Sequence, residues 1–279
     1  MIPTDTASRS IAYTDSLTGE PVVLVHCSAA SGREWDSLGT LLSGEYRKLV
    51  PDQWGCGESP AWMGQSAFAL AHEAAPIIAL IERVGQPVHL IGHSYGGGVA
   101  LRIAREHPEK IRTLTLIEPS CFHILRNGEA EAEVLLEEIS GVAGRITAAF
   151  ISGGYWSGMA SFVDYWNGAG TWEAMSMKAR LKATQRLSKV VLDFHALFEE
   201  PARAEDYAGL AMPTLLLVGE RSPGPSRKIV AMLSAAMPNA RVERIAGAGH
   251  MSPFTHADDV NRRILAHLSA QATPRAMAA

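Results

Sequence analysis

The pentapeptide Gly92-His93-Ser94-Tyr95-Gly96, followed by Gly97 and Gly98, is the sharpest chemical signal in the chain. Alone, Gly-x-Ser-x-Gly is weak, because at this composition chance supplies it in about one chain in six. Its setting narrows the meaning. Val88-His89-Leu90-Ile91 before it reads as a buried strand, and Val99-Ala100-Leu101-Arg102-Ile103-Ala104 after it reads as a helix. A serine on so sharp a strand-to-helix turn is strained and has its hydroxyl exposed. Small residues two positions to either side let strand and helix pass closely. A serine hydroxyl is barely ionised at neutral pH, so nucleophilic use of it demands an adjacent base. A phosphate-binding loop would look different: the stretch contains no Gly-x-Gly-x-x-Gly, and no Lys follows the glycines.

To hold such a turn the chain must build a sheet. Short apolar runs alternate with longer amphipathic stretches, the pattern of an α/β fold with a mostly parallel central sheet flanked by helices. Strands are predicted at Ser10–Thr14, Val22–His26, Arg47–Pro51, Val88–Gly92, Thr113–Ile117, Thr214–Val218 and Arg241–Ile245. Helices are predicted at Trp35–Leu42, Tyr95–His107, Ser226–Met237 and Asp258–Ser269, with the last ten residues as a frayed tail. Leu70, Ala74, Ile77, Ile78, Ile81 and Val84 make a further helical face, which Pro76 either kinks or begins. From Pro119 to Gly209 no strand signal occurs, and Leu187, Val190, Val191, Phe194, Leu197 and Phe198 mark an amphipathic helix. About 90 residues are too many for a crossover that needs a dozen or so. The predicted organisation is one core, residues 1–118 and 210–279, with residues 119–209 inserted as a helical cap.

Four motifs in chain order resemble the α/β-hydrolase fold superfamily, in its serine-hydrolase (esterase/lipase-like) branch. His26-Cys27-Ser28 follows the Val22–Val25 strand where the family usually has His-Gly-x. Pro51-Asp52-Gln53-Trp54-Gly55-Cys56-Gly57-Glu58-Ser59 is similar to the family's Asp-x-x-Gly-x-Gly-x-Ser turn. The Ser94 elbow and Gly247-Ala248-Gly249-His250, after the last strand, complete the set. The resemblance spans about Ser10 to Leu268. It implies Ser94 as nucleophile and His250, of ten histidines, as its base. The backbone N–H groups of Ser28 and Tyr95 are implied as the oxyanion hole, the latter at a helix N-terminus. His26, His89 and His93 are assigned to packing or loop hydrogen bonds. Cys27 stands where the family has glycine and reads as a small buried filler.

The acid departs from the family's pattern. Its Asp normally follows the penultimate strand in Gly-x-x-Asp, but here that stretch is Gly219-Glu220-Arg221-Ser222, with serine at the acid's position. Two substitutes stand nearby. Glu118 comes immediately after the Thr113–Ile117 strand, where some branches take their acid, and is the expected partner of His250. Glu220 is the alternative acid.

The remaining composition excludes whole classes. With 25 Lys+Arg against 29 Asp+Glu and a net charge of −4, the chain lacks the basic face that a nucleic-acid binder needs. It has no run of 18 apolar residues to span a membrane. Three cysteines at unpatterned spacings suggest neither disulfides nor zinc, which suits a cytoplasmic protein, and Met1–Thr6 shows no signal peptide. The expected enzyme needs no metal or cofactor. The 119–209 segment holds Phe122, Phe150, Tyr155, Trp156, Phe162, Tyr165, Trp166, Trp172, Phe194 and Phe198, so a small or medium apolar ester, thioester or lactone is the expected substrate. The same three residues would also serve a carbon–carbon bond hydrolase or a perhydrolase. A ligand-binding receptor with residual hydrolysis is the reading from another class.

Overall fold

The computed structural model describes residues 10–126 and 128–271. Its seven strands are β1 (Tyr13–Asp15), β2 (Glu20–Val25), β3 (Tyr46–Pro51), β4 (Val88–His93), β5 (Ile111–Ile117), β6 (Thr214–Gly219) and β7 (Ala240–Ile245). They form one sheet in the order β1-β3-β2-β4-β5-β6-β7, with β1 antiparallel and every other pairing parallel. Along the central strands, alternate residues enter two separate cores. Val23, Val25, Leu90, Leu114, Leu116 and Leu216 face one side, and Val22, Leu24, Ile91, Ile117, Leu215 and Leu217 face the other. The near-continuous apolar runs exist because both faces must be covered.

The cover is helical. In chain order the helices are α1 (Asp36–Leu41), α2 (Leu70–Val84), α3 (Tyr95–Glu106), α4 (Ala130–Ile151), α5 (Tyr155–Asn167), α6 (Thr171–Ala174), α7 (Met177–Thr184), α8 (Leu187–Phe198), α9 (Gly224–Ala236), α10 (Ser252–Thr255) and α11 (Ala257–Ser269). Leu38 of α1 and Val260, Ile264 and Leu268 of α11 fill the smaller core. Helices α2, α3 and α9 fill the larger one, joined by buried residues of α4, α5 and α8. Pro76 lies inside α2, which runs on through it to a left-handed Gly85 cap. Among the described residues no helix is long and apolar enough to cross a membrane.

Six strands lie within two residues of expectation, and the first does not. Only Tyr13–Asp15 pair, because at Ala12 the ladder ends: its N–H goes to Ser59 Oγ and its carbonyl to the Asp52 N–H. The expected tail and the N-terminal Met1–Thr6 stretch lie outside the described residues, save Ala270 and Gln271. Between β5 and β6 the described residues carry five helices, α4 to α8, and no strand. Helix α8 returns from this segment to touch α3 and α4, which brings its buried face close to the carboxyl end of the sheet.

Candidate active site

Ser94 is the single residue between β4 and α3. Its φ of +54° lies in the left-handed region that residues with a side chain seldom adopt. The turn is pinned from both sides: the Ser94 N–H reaches Ile117 O at 2.9 Å, and the Gly98 N–H reaches Ser94 O at 3.1 Å. Gly96 makes it possible, since a Cβ there would collide with the backbone oxygens of Val25 and His26. The first turn of α3 therefore presses directly on the end of β2.

Around Ser94 the structure gathers residues that are far apart in the chain. Ser94 Oγ lies 2.9 Å from His250 Nε2, and His250 Nδ1 lies 2.9 Å from Glu118 Oε2. Glu118 and His250 are 0% and 2% exposed, and Ser94 is 7% exposed. Glu118, like Ser94, is a non-glycine residue at positive φ, +46°, which turns its side chain back toward the β6 edge. Its other oxygen accepts the Gly219 N–H at 2.8 Å and the hydroxyl of Ser222. The serine at the family's usual acid position thus donates to the Glu118 carboxylate. Glu220 does not approach His250; its Oε2 accepts the Gly247 N–H at 2.9 Å and ties down the histidine loop.

Electrostatics follow from this arrangement. Burial pushes the Glu118 carboxyl up, but the hydrogen bond and charge of His250, with the Ser222 and Gly219 donors, bring it below the usual carboxylate range. Burial pulls the His250 imidazole down, and the opposing pull of Glu118 does not fully restore it. His250 is therefore neutral near pH 7, as an acceptor of a hydroxyl proton must be.

A second buried pair lies beneath. His93 Nδ1 meets Glu34 Oε1 at 2.5 Å, and His93 Nε2 donates to His250 O at 3.0 Å. The other oxygen of Glu34 accepts the Cys27 N–H at 2.7 Å. Burial opposes the charge on the His93 ring, but Glu34 and the His250 carbonyl raise it overall. Cys27, Glu34 and His93 are the one cluster of three metal-type ligands among the described residues. They do not suit a metal: burial holds the Cys27 thiol far above its ordinary range, and the histidine and carboxylate are spent on each other. His26 donates to the Cys27 carbonyl and accepts the Gln53 N–H at 3.1 Å, while His89 bonds Thr113 Oγ1 and lies 3.1 Å from Glu20 Oε1.

Ser28 and Tyr95 line the space above Ser94, with Ser120, Phe122, Phe162, Trp166, Asp193, Phe194 and Leu197. The space between these side chains is narrow, with only about 10 Å³ open, and the Trp166 ring stands 4.1 Å from the His250 ring. Neither the Ser28 nor the Tyr95 backbone N–H has an acceptor among the described residues. One wall is charged. Lys189 Nζ is 2.9 Å from Glu73 Oε2 and also bonds Asp193 Oδ1, while Tyr95 Oη donates to Glu73 at 3.0 Å and Ser28 Oγ to Asp193 Oδ2 at 2.6 Å. Burial and the Glu73 charge outweigh the pull of Lys189 and push the Asp193 carboxyl up to about 6.

Sequence reasoning did not find Asp193, Lys189, Glu73, Glu34 or Ser120, whose Oγ is 3.2 Å from that of Ser94. A signal existed for one pair. Lys189 and Asp193 sit four apart, on the apolar face that Leu187, Val190, Phe194 and Leu197 define.

Known proteins share these features. The pattern of the Alpha/beta hydrolase family matches residues 22–263. RutD of Pseudomonas syringae pv. syringae, provisionally named a carbamate hydrolase, is 28% identical over 257 residues, 90% of this chain and 94% of its own. The RutD of Variovorax paradoxus is 34% identical, but over only 101 residues, so the match spans 38% of that relative. A thermophilic esterase from Thermogutta terrifontis superposes with a TM-score of 0.69 at 25% identity, covering 94% of each chain. With a family match across most of its length and that family's parallel sheet, the chain belongs to the α/β-hydrolase family of enzymes.

Proposed function

We propose that the protein is a serine hydrolase that cleaves a small carboxylic ester through an acyl-enzyme, with Ser94, His250 and Glu118 as its triad. One observation carries this reading: the unbroken 2.9 Å contacts from Ser94 Oγ through His250 to Glu118, buried beneath an apolar pocket. Ser94 Oγ attacks the carbonyl carbon as its proton passes to His250 Nε2, and Glu118 stabilises the imidazolium. The oxyanion accepts from the Ser28 and Tyr95 N–H groups. As the tetrahedral species collapses, the alkoxide leaves with the proton from His250. Water, deprotonated by His250, then releases the acid and restores Ser94. Residues 119–209 act as the cap, with Phe122, Phe162, Trp166, Phe194 and Leu197 forming the apolar walls.

The narrow space above Ser94, closed in by Phe122, Phe162, Trp166 and Leu197, favours the small end of the substrate range. Asp193 favours a second reading, a carbamate-type substrate, because its carboxylate has acceptor capacity left for an N–H. This accords with the carbamate hydrolysis in the name of the Pseudomonas relative. Turnover of p-nitrophenyl esters of increasing chain length, alongside matched carbamates, tests both readings. Fastest turnover on acetate or propionate supports the first, and a carbamate preference supports the second. No turnover of any ester or carbamate overturns both.

A further inference from the structure

Helix α8 grips the loop that carries Ser28, and it does so at three consecutive residues. Ser28 Oγ donates to Asp193 Oδ2 at 2.6 Å. The guanidinium of Arg186, just before α8, donates to Ala29 O and, at 3.3 Å, to Ala30 O. Ala29 is itself at φ +57°, in the left-handed region that favours glycine, so the loop is bent into a shape its own residues resist. Helix α8 is anchored in turn. Lys189 joins Asp193 to Glu73 of α2, and its ammonium stands 4.4 Å from the centre of the Tyr95 ring. The Tyr95 hydroxyl closes the circuit on Glu73. Both residues with unpaired N–H groups at the pocket, Ser28 and Tyr95, therefore have their side chains tied to one buried charge cluster.

We infer that Arg186 and Asp193 are positioning residues for the oxyanion hole: through the Ser28–Ala30 loop they set the distance and angle at which the Ser28 N–H meets the developing oxyanion. This rests on the triad reading above, and it adds that the inserted helical segment completes the catalytic geometry as well as covering it. Catalysis by fixed donors depends on their placement before the charge forms, so a loosened loop costs turnover more than ground-state binding. Fold stability alone would not produce that separation.

The experiment uses the full chain with Arg186→Met, Arg186→Lys, Ser28→Ala and Ser28→Thr, and Ser94→Ala as reference. The readouts are kcat and KM on p-nitrophenyl acetate, and the inhibition constant of phenylboronic acid, which becomes a tetrahedral anion on a serine. Arg186→Met and Ser28→Ala are expected to lose about tenfold to a hundredfold in kcat, less than the loss of a whole oxyanion donor. KM should stay within threefold, and the boronic acid should weaken in step with kcat. Ser28→Thr, which keeps the hydroxyl, should recover most of the loss. If Arg186→Met does not fold, Ser28→Ala carries the test, since it removes one oxygen and keeps the amide. Wild-type kcat in Ser28→Ala, or a kcat loss with unchanged boronic acid affinity, overturns the inference. Ser94→Ala separates the two ideas. If it abolishes turnover while Ser28→Ala matches wild type, the positioning role alone fails; if it keeps turnover, the triad reading fails.

Discussion

Replacing Glu118 by Gln changes one atom of the proposed triad and leaves its shape intact. The consequence follows from the partners of its carboxylate. The Gly219 N–H and the Ser222 hydroxyl both donate to Oε1, so the amide oxygen of a glutamine must stay with them. Its NH2 then faces His250 Nδ1, which has to accept and so places the ring proton on Nε2. In that tautomer Nε2 cannot take the proton of Ser94, 2.9 Å away. The lost charge matters as well. A carboxylate in contact with an imidazolium, with charge centres roughly 4 Å apart at an effective dielectric of about 20, contributes about 4 kcal/mol. That is close to a thousandfold in rate. With the tautomer penalty added, kcat should fall by about 10³ to 10⁴, with KM little changed because Glu118 lies behind the imidazole. Steady-state hydrolysis of p-nitrophenyl acetate, normalised by active-site titration, measures it. A Glu118→Gln enzyme that keeps more than about a tenth of wild-type kcat refutes this reasoning, as does a larger loss from Glu220→Gln.

Other outcomes are equally open to measurement. Because His250 must be neutral and burial holds its pKa below the ordinary 6.5, kcat/KM should rise with pH to a plateau whose midpoint lies below 6.5. In Glu118→Gln the upward pull on His250 is gone, so the residual activity should show that midpoint lower still in a pH–rate profile. Adding Ser222→Asp to Glu118→Gln returns a carboxylate to the family's usual position and should restore at least tenfold of the lost kcat. Gly96→Ala should lose stability at or above the upper end of the ~1–3 kcal/mol typical of overpacking, because its Cβ meets backbone oxygens. Gly98→Ala, whose Cβ would meet a Leu197 methyl at 2.9 Å and the Ser120 carbonyl oxygen at a milder 3.3 Å, should lose less than Gly96→Ala in urea unfolding. The raised pKa of His93 means its pairing with Glu34 contributes fully in mild acid, below 6.5 and above the lowered range in which Glu34 takes up a proton, and is lost as pH rises through the raised value. The Tm difference between wild type and His93→Gln should therefore be largest in mild acid and shrink toward alkaline pH.

Much of this was legible because the relevant signals are local. Apolar runs gave the central strands within two residues, since strands buried on both faces have no polar side to blur their ends. The elbow could be read because its close strand–helix approach requires small residues at Gly92 and Gly96. The pairing of His250 with Glu118 spans 132 positions, and two signals pointed to it: the departure at Ser222 and the place of Glu118 just after the Thr113–Ile117 strand. The Glu73–Lys189–Asp193 cluster was illegible for a physical reason. A charge on an apolar helix face is bearable only with partners from other elements, and these come from α2, α3 and the Ser28 loop. Of the aromatic residues in the 119–209 segment, Phe122, Phe162, Trp166 and Phe194 line the pocket, and the charged Asp193 interrupts them.

The central claim is that Ser94 forms the covalent intermediate. Rapid acid quenching during turnover of a p-nitrophenyl ester, followed by mass spectrometry of the peptide that contains Ser94, tests it directly. The account predicts one acyl group on Ser94 in the wild type, accumulating in His250→Ala if deacylation slows more than acylation, and no adduct or turnover in Ser94→Ala. Turnover that survives in Ser94→Ala, or an acyl group found on another residue, would contradict it.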